Sequence, residues 1–188
     1  MVEINTSLQH HFLIAMPSLV DTFFYRTVIY ICEHDDQGAM GIIINRPTQI
    51  TLTELLSHFE ISNSSKTSSN TPIYFGGPVE KNQGIVLHNS NTEWKNTIQL
   101  TDQLFLTSST DILNVMGTEQ APEHSMVALG YSSWAAGQLE EEIAENSWLT
   151  VAADNDILFN TPADKQWHAA AKLLGIDINL MPNTTGHA

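Results

Sequence analysis

The chain has 188 residues, 42% of them apolar and 15% charged, and its 7 Lys and Arg against 21 Asp and Glu give a formal net charge of −14. That length suits one domain with a real core, while the charge argues against direct nucleic-acid binding, which relies on Lys and Arg displacing counterions from phosphate. A single cysteine, Cys32, excludes an intramolecular disulfide and makes the cytoplasm the expected compartment; no apolar run nears the ~20 residues that span a bilayer, and the start MVEINTSLQHHF lacks the basic and apolar regions of an export signal.

In chain order, residues 1–11 are polar and expected to be loosely held, and Phe12–Met16 reads as a short strand ended by Pro17. Thr27–Cys32 and Ile42–Ile44 are β-branched and apolar without a break, so they predict two strands buried on both faces, joined by a charged loop of Glu33, His34, Asp35 and Asp36. Thr51 and Glu54 form a capping box ahead of a short helix carrying Leu52, Leu55, Leu56 and Phe59. The polar stretch SNSSKTSSNT at 62–71 predicts a surface loop. Ile73–Phe75 and Gly84–His88 form a second β pair around the turn Gly76-Gly77-Pro78, and Asp102–Leu106 is another strand. Ser108 or Ser109 then caps a helix with Ile112, Val115 and Met116, closed by Gly117.

Met126–Leu129 leads into a turn at Gly130-Tyr131-Ser132-Ser133-Trp134. Leu139 and Ile143 mark a helix whose Glu140, Glu141 and Glu142 sit near its N-terminus, where negative charge is favoured. Trp148–Val151 and Ile157–Phe159 read as the last strands. In the final helix Thr161 caps, Pro162 takes the first position, Trp167, Ala170, Ala171 and Leu174 form the apolar stripe, and Gly175 ends it; residues 176–188 read as weakly structured. Strands without regular βαβ alternation imply an α+β fold with a mixed, mostly antiparallel sheet and short flanking helices, in one domain spanning 1–188.

Seven segments in one order carry a resemblance: FLIAMPSLVD at 12–21, RTVIYICEH at 26–34, GAMGIIINRP at 38–47, FGGPV at 75–79, GIVLH ending at His88, LGYSSWAAGQLEEEI at 129–143 and NSWL at 146–149. Through them the chain resembles the YqgE/AlgH family of bacterial proteins over nearly its whole length. It departs from the usual pattern at Ser133 and Ala135, which stand where glycine is common. The resemblance implies an α+β fold whose bifurcated sheet closes into a pseudo-barrel. It implies little about activity, because the family is largely uncharacterised and its label of transcriptional regulator states no mechanism.

Several residues carry candidate chemistry. His34 and His88, each at a strand end, with Glu33, Asp35 and Asp36 are the residue types of a divalent-metal site, but no ligand spacing supports one, and a strand-end histidine bonded to the backbone is the simpler reading. Ser132 in Gly-Tyr-Ser-Ser-Trp resembles a nucleophile elbow, except that Trp134 occupies the place of the required second glycine. Cys32 closes an apolar strand with no adjacent Lys or Arg to stabilise a thiolate, and is expected to be buried and inert. Gly76 and Gly77 fit a strand-connecting turn better than an anion loop. Arg46, between a buried strand and Pro47, suits an internal ion pair with the hairpin acids before it suits an anionic ligand.

The expected function is therefore a non-catalytic binding or regulatory domain with an unknown protein or small-molecule partner, no cofactor and no membrane association. Its candidate surface comprises His34, Asp35, Arg46, Gly76, Gly77, His88, Tyr131, Trp134 and Gln138. The alternative is an enzyme, a metal-assisted hydrolase using the strand-end His, Asp and Arg groups. The enzyme requires His34, Arg46 and His88 to share one pocket; the binding domain requires Tyr131 and Trp134 to be partly exposed beside a concave or apolar patch.

Overall fold

A computed structural model describes residues 7–20, 22–62 and 70–181. The described residues pack as two compact units, one within 1–45 and 132–188 and the other within the continuous segment 46–131.

The first unit is built on β1 (His11–Ala15), β2 (Val28–Asp35), β3 (Gly38–Ile43), the end of β9 (Ser125–Ala135) and β10 (Trp148–Ala152). They pair antiparallel in the order β10-β1-β2-β3-β9. Ile29, Ile31, Ile42 and Ile43 are wholly buried, each contributing ~1.5–3 kcal/mol relative to exposure, which is why unbroken β-branched runs settle here. The charged segment is less of a loop than its composition suggests. β2 continues to Asp35, only Asp36 and Gln37 turn, and a register shift between Ile31 and Glu33 breaks the regular pairing.

Helices α2 (Gln138–Ala144), α3 (Asn155–Phe159) and α4 (Ala163–Leu173) complete this unit, with a 3₁₀ turn at Ile178–Leu180. The expected strand at Ile157–Phe159 is helix α3. Asp154 accepts the Ile157 amide hydrogen as an N-cap, and Gln166 of α4, itself buried, donates to the carbonyls of Ile157 and Leu158. Helix α4 starts one residue later than expected, with Pro162 rather than Thr161 at the cap, and Leu174 lies beyond its last turn, exposed rather than in the stripe. Trp167 anchors α4 by donating its indole N–H to the Ala15 carbonyl at 2.8 Å. The polar N-terminus is held from Ser7 onward: Ser7 donates to the His34 carbonyl and Gln9 to that of Cys32. At the other end Asp177 caps the 3₁₀ turn and Ile178 is buried, so order extends past residue 176.

The second unit contains β4 (Pro47–Thr51), α1 (Leu52–His58), β5 (Pro72–Phe75), β6 (Val79–His88), β7 (Thr97–Thr101), β8 (Leu104–Thr107), a 3₁₀ turn at Thr110–Asn114 and the first part of β9. Here β9-β6-β8-β7 pair antiparallel, β4 pairs β5 antiparallel, and β5 joins β9 in parallel. β9 is the branch point of a mixed, mostly antiparallel sheet: residues 126–129 pair with β6, and 128–129 also with β5, whereas 132–135 pair with β3. The segment Gly130–Trp134, read as a turn, is thus the middle of an 11-residue strand. The capping box forms as expected, Thr51 accepting the Glu54 amide hydrogen and Glu54 accepting that of Thr51 at 2.7 Å. Ser109 holds the N-cap position, but its hydroxyl bonds the Asp111 carboxylate, and the segment makes 3₁₀ geometry instead of an α-helix. Residues 63–69 of the expected surface loop lie outside the described residues.

Candidate functional site

The sequence-derived candidates divide between the two units. In the first, His34 is engaged at both ring nitrogens: Nδ1 accepts the Leu8 amide hydrogen at 2.8 Å and Nε2 lies 2.8 Å from Glu140 Oε1. The first bond fixes the tautomer, so Nε2 carries the proton and donates to Glu140. The carboxyl of Glu140 is held below its usual range, first by its own backbone N–H, against some burial, and then by His34. Asp35 is exposed and accepts the Gln37 amide hydrogen, closing the hairpin turn.

Trp134 and Gln138 are structural. Trp134 is buried, and its indole N–H reaches Glu142 Oε2 at 2.9 Å. Trp148 donates to the same oxygen at 2.8 Å, and Gln138 donates to Oε1 while accepting the Ala135 amide hydrogen. Glu142 thus fixes α2 against β9 and β10, the purpose to which this polar motif is put. Ser132 lies mid-strand, 1% exposed, with its hydroxyl unbonded, which is incompatible with a nucleophile on a sharp strand-to-helix turn. Cys32 is wholly buried, and burial pushes its thiol far above the ordinary range.

In the second unit, Arg46 is half-buried with its carbonyl bonded to the Phe75 amide. Gly76 and Gly130 explain each other: a Cβ on Gly76 would stand 2.2 Å from the Gly130 carbonyl oxygen, and one on Gly130, where φ is +73°, would stand 2.5 Å from that of Gly77. Gly76 and Gly77 therefore serve a close backbone approach between β5 and β9. Tyr131 is half-buried on β9.

His88 is wholly buried. Its ring stacks on Phe105 (5.8 Å, 14°), meets Trp94 edge to face (5.1 Å, 87°), and its Nε2 bonds the Thr107 hydroxyl at 2.8 Å. Nδ1 makes no hydrogen bond of ordinary geometry, and the backbone of Ser90 opposes the effect of burial only in part, so the pKa falls to about 4 and the imidazole is neutral near pH 7. His34 and His88 are each committed inside their own unit, and no group of three or more His, Cys, Asp or Glu among the described residues is placed to hold a metal ion.

The second unit also contains a pocket that none of the candidates lines. It measures about 430 Å³, within the ~300–1,000 Å³ of small-molecule sites. Leu55, Val86, Leu113, Val127 and Leu129 form an apolar floor, while Phe59, 45% exposed, closes one side. His58, Asn82, Gln83, Ser109 and Thr110 supply polar groups, and no Asp, Glu, Lys or Arg is among the described lining residues. The available sequence signal was Phe59, at the exposed end of an otherwise buried helical stripe.

Fold and site together define an α+β protein whose His34, His88 and Trp134 make internal hydrogen bonds and whose 46–131 unit holds an apolar-lined pocket. The chain belongs to the AlgH-like family, whose model matches residues 12–179. It is 46% identical to a UPF0301 protein of Nitrosospira multiformis over 184 residues, covering 98% of this chain and 99% of that one. A UPF0301 protein of Shewanella woodyi is 48% identical over 184 residues, covering 97% and 99%. The solution structure of AlgH from Pseudomonas aeruginosa matches with a TM-score of 0.79 at 42% identity, covering 98% of this chain and 97% of that one. A Corynebacterium diphtheriae protein, at 19% identity and a TM-score of 0.69 over 91% and 89% of the two chains, shares the fold. No helix among the described residues is long and apolar enough to cross a membrane.

Proposed function

We propose that the protein is a non-catalytic, cytoplasmic ligand-binding domain that takes a small, uncharged, largely apolar molecule in the pocket of its 46–131 unit. The pocket itself carries this reading: an apolar floor favours burial of an apolar body, and hydroxyl and amide groups at the rim favour a polar end. With no Lys or Arg among the described lining residues and a net charge of −14, an anionic ligand would enter against the field. The same charge disfavours direct DNA contact, so regulation would act through ligand occupancy and a protein partner. The engagement of His34 by Leu8 and Glu140, and of His88 by Thr107, supports a non-catalytic role over the hydrolase alternative.

A thermal-shift screen of uncharged amphipathic metabolites tests this. A ligand at about 100 times its Kd stabilises by about 2.7 kcal/mol, a rise of a few degrees in a chain of this length. Leu55→Trp, which fills the pocket from a half-buried position, is expected to abolish that rise while leaving the unliganded Tm nearly unchanged. A screen without any stabilising compound, or a rise that survives the filled pocket, would overturn the reading.

A further inference from the structure

A second hollow of the 46–131 unit, about 610 Å³ in volume, lies between the segment 91–96 and the β7–β8 hairpin. Strand register explains its floor. His88 of β6, Phe105 of β8 and Gln99 of β7 stand opposite one another on successive strands, as Thr107 and Thr97 do, so their side chains share one face of the sheet. Phe105, Gln99 and Thr97 line the hollow, and Trp94 enters from the segment opposite. Two carboxylates, Glu93 and Asp102, also line it, and no Lys or Arg stands among its described lining residues, the exposed Lys95 of the same segment lying outside the lining.

The buried layer behind is matched to this. The His88 ring stacks on Phe105 and meets Trp94, so it backs both aromatic walls. From His88 Nε2 a chain of hydrogen bonds runs through the Thr107 hydroxyl to that of Thr97, 2.8 Å and then 2.7 Å long, joining a wholly buried imidazole to a residue of the hollow. Because burial keeps His88 neutral, no positive charge stands behind the rings.

Aromatic walls, two carboxylates and amide side chains, with no Lys or Arg among the described lining residues, make a receptor for positive charge, in a protein whose overall field already attracts cations. We propose that this hollow binds an organic cation, its ammonium or guanidinium head between Trp94 and Phe105 and paired with Glu93 and Asp102. The head belongs either to a free polyamine or to the basic side chain of a peptide. The apolar pocket described above plays no part in this assignment.

Titration of the full chain with spermidine, with N-acetyl-arginine amide and with maltose, followed at the Trp94 indole resonance by NMR, tests the proposal. The other three tryptophans are buried with their indole N–H groups donated to Glu142 or Ala15, so Trp94 reports separately. A Trp94 shift is expected with spermidine or the arginine derivative, and whichever binds more tightly identifies the source of the head group. Glu93→Gln with Asp102→Asn, two exposed changes, is expected to weaken binding about 10-fold, since each exposed pair is worth up to a few-fold, and added salt is expected to weaken it further. Silence with both cations up to about 10 mM, where even weak sites fill, would overturn the proposal. So would equal binding by the double variant or a stronger response to maltose. None of these outcomes bears on the apolar pocket, which is read through Leu55→Trp.

Discussion

Trp134 and Trp148 stand edge to face, ring centroids 6.2 Å apart at 83°, and send both indole N–H groups to one oxygen of Glu142. A single carboxylate thus satisfies two buried donors. Glu142→Leu leaves both unsatisfied and is expected to cost about 2–4 kcal/mol, whereas Glu142→Gln keeps one acceptor oxygen and is expected to cost about half as much. Urea denaturation followed by tryptophan fluorescence measures both, and equal stabilities for the two variants would contradict the shared-acceptor account.

The approach of Gly76 to Gly130 permits no side chain. With 2.2 Å between an added Cβ and the Gly130 carbonyl oxygen, Gly76→Ala must push β5 away from β9. The expected loss is about 2–4 kcal/mol, at the upper end for single substitutions. Gly84, whose Cβ would meet open space, is the control: Gly84→Ala is expected to leave the urea midpoint within about 0.5 kcal/mol of the parent.

His88 couples stability to pH. Its pKa is 6.5 in the unfolded chain and about 4 in the fold, so between those values the unfolded state binds the extra proton and folding weakens as pH falls. The contribution is fully present above about pH 6.5 and fully lost below about pH 4, and amounts to on the order of 3 kcal/mol. Denaturation midpoints across that window are expected to slope downward toward acid, and His88→Leu is expected to flatten the slope. An unchanged slope in the variant would show that other groups carry it.

Cys32 is expected to react with a thiol reagent only after unfolding. It is wholly buried with its thiol pushed upward, so the native chain should remain unlabelled at pH 8 and label at the rate of global opening as urea is added. Rapid native labelling would mean that β2 opens locally.

Much of the fold was legible because its strongest signals are local. The β-branched runs of β2 and β3, the Thr51–Glu54 capping box and the stripe of Trp167, Ala170 and Ala171 state their structure within a few residues. What was missed depends on partners distant in the chain. β4 and the first half of β6 carry polar, exposed residues, and β7 pairs with β8 alone among the described strands, so none offers a continuous apolar run. Ile157–Phe159 has strand composition, yet Asp154 and Gln166 cap it as a helix. The candidate site was less legible still. Trp134 looked like a recognition surface because its acceptor, eight residues on, faces it only after α2 folds back. The apolar pocket was invisible for the opposite reason: Leu55, Val86, Leu113 and Leu129 come from four separate segments, and each alone resembles core.

The sharing of β9 between two units has a consequence for synthesis. The 46–131 segment is continuous and has all its own strands once residue 131 has left the ribosome. The other unit does not: β1 must wait for β10, whose Trp148 pairs with Ala15, and β3 must wait for the end of β9. Pairing of β1 with β10 and of β3 with the end of β9 is therefore the late, long-range step. Vectorial translation thus completes the strand set of the continuous unit before that of the discontinuous one.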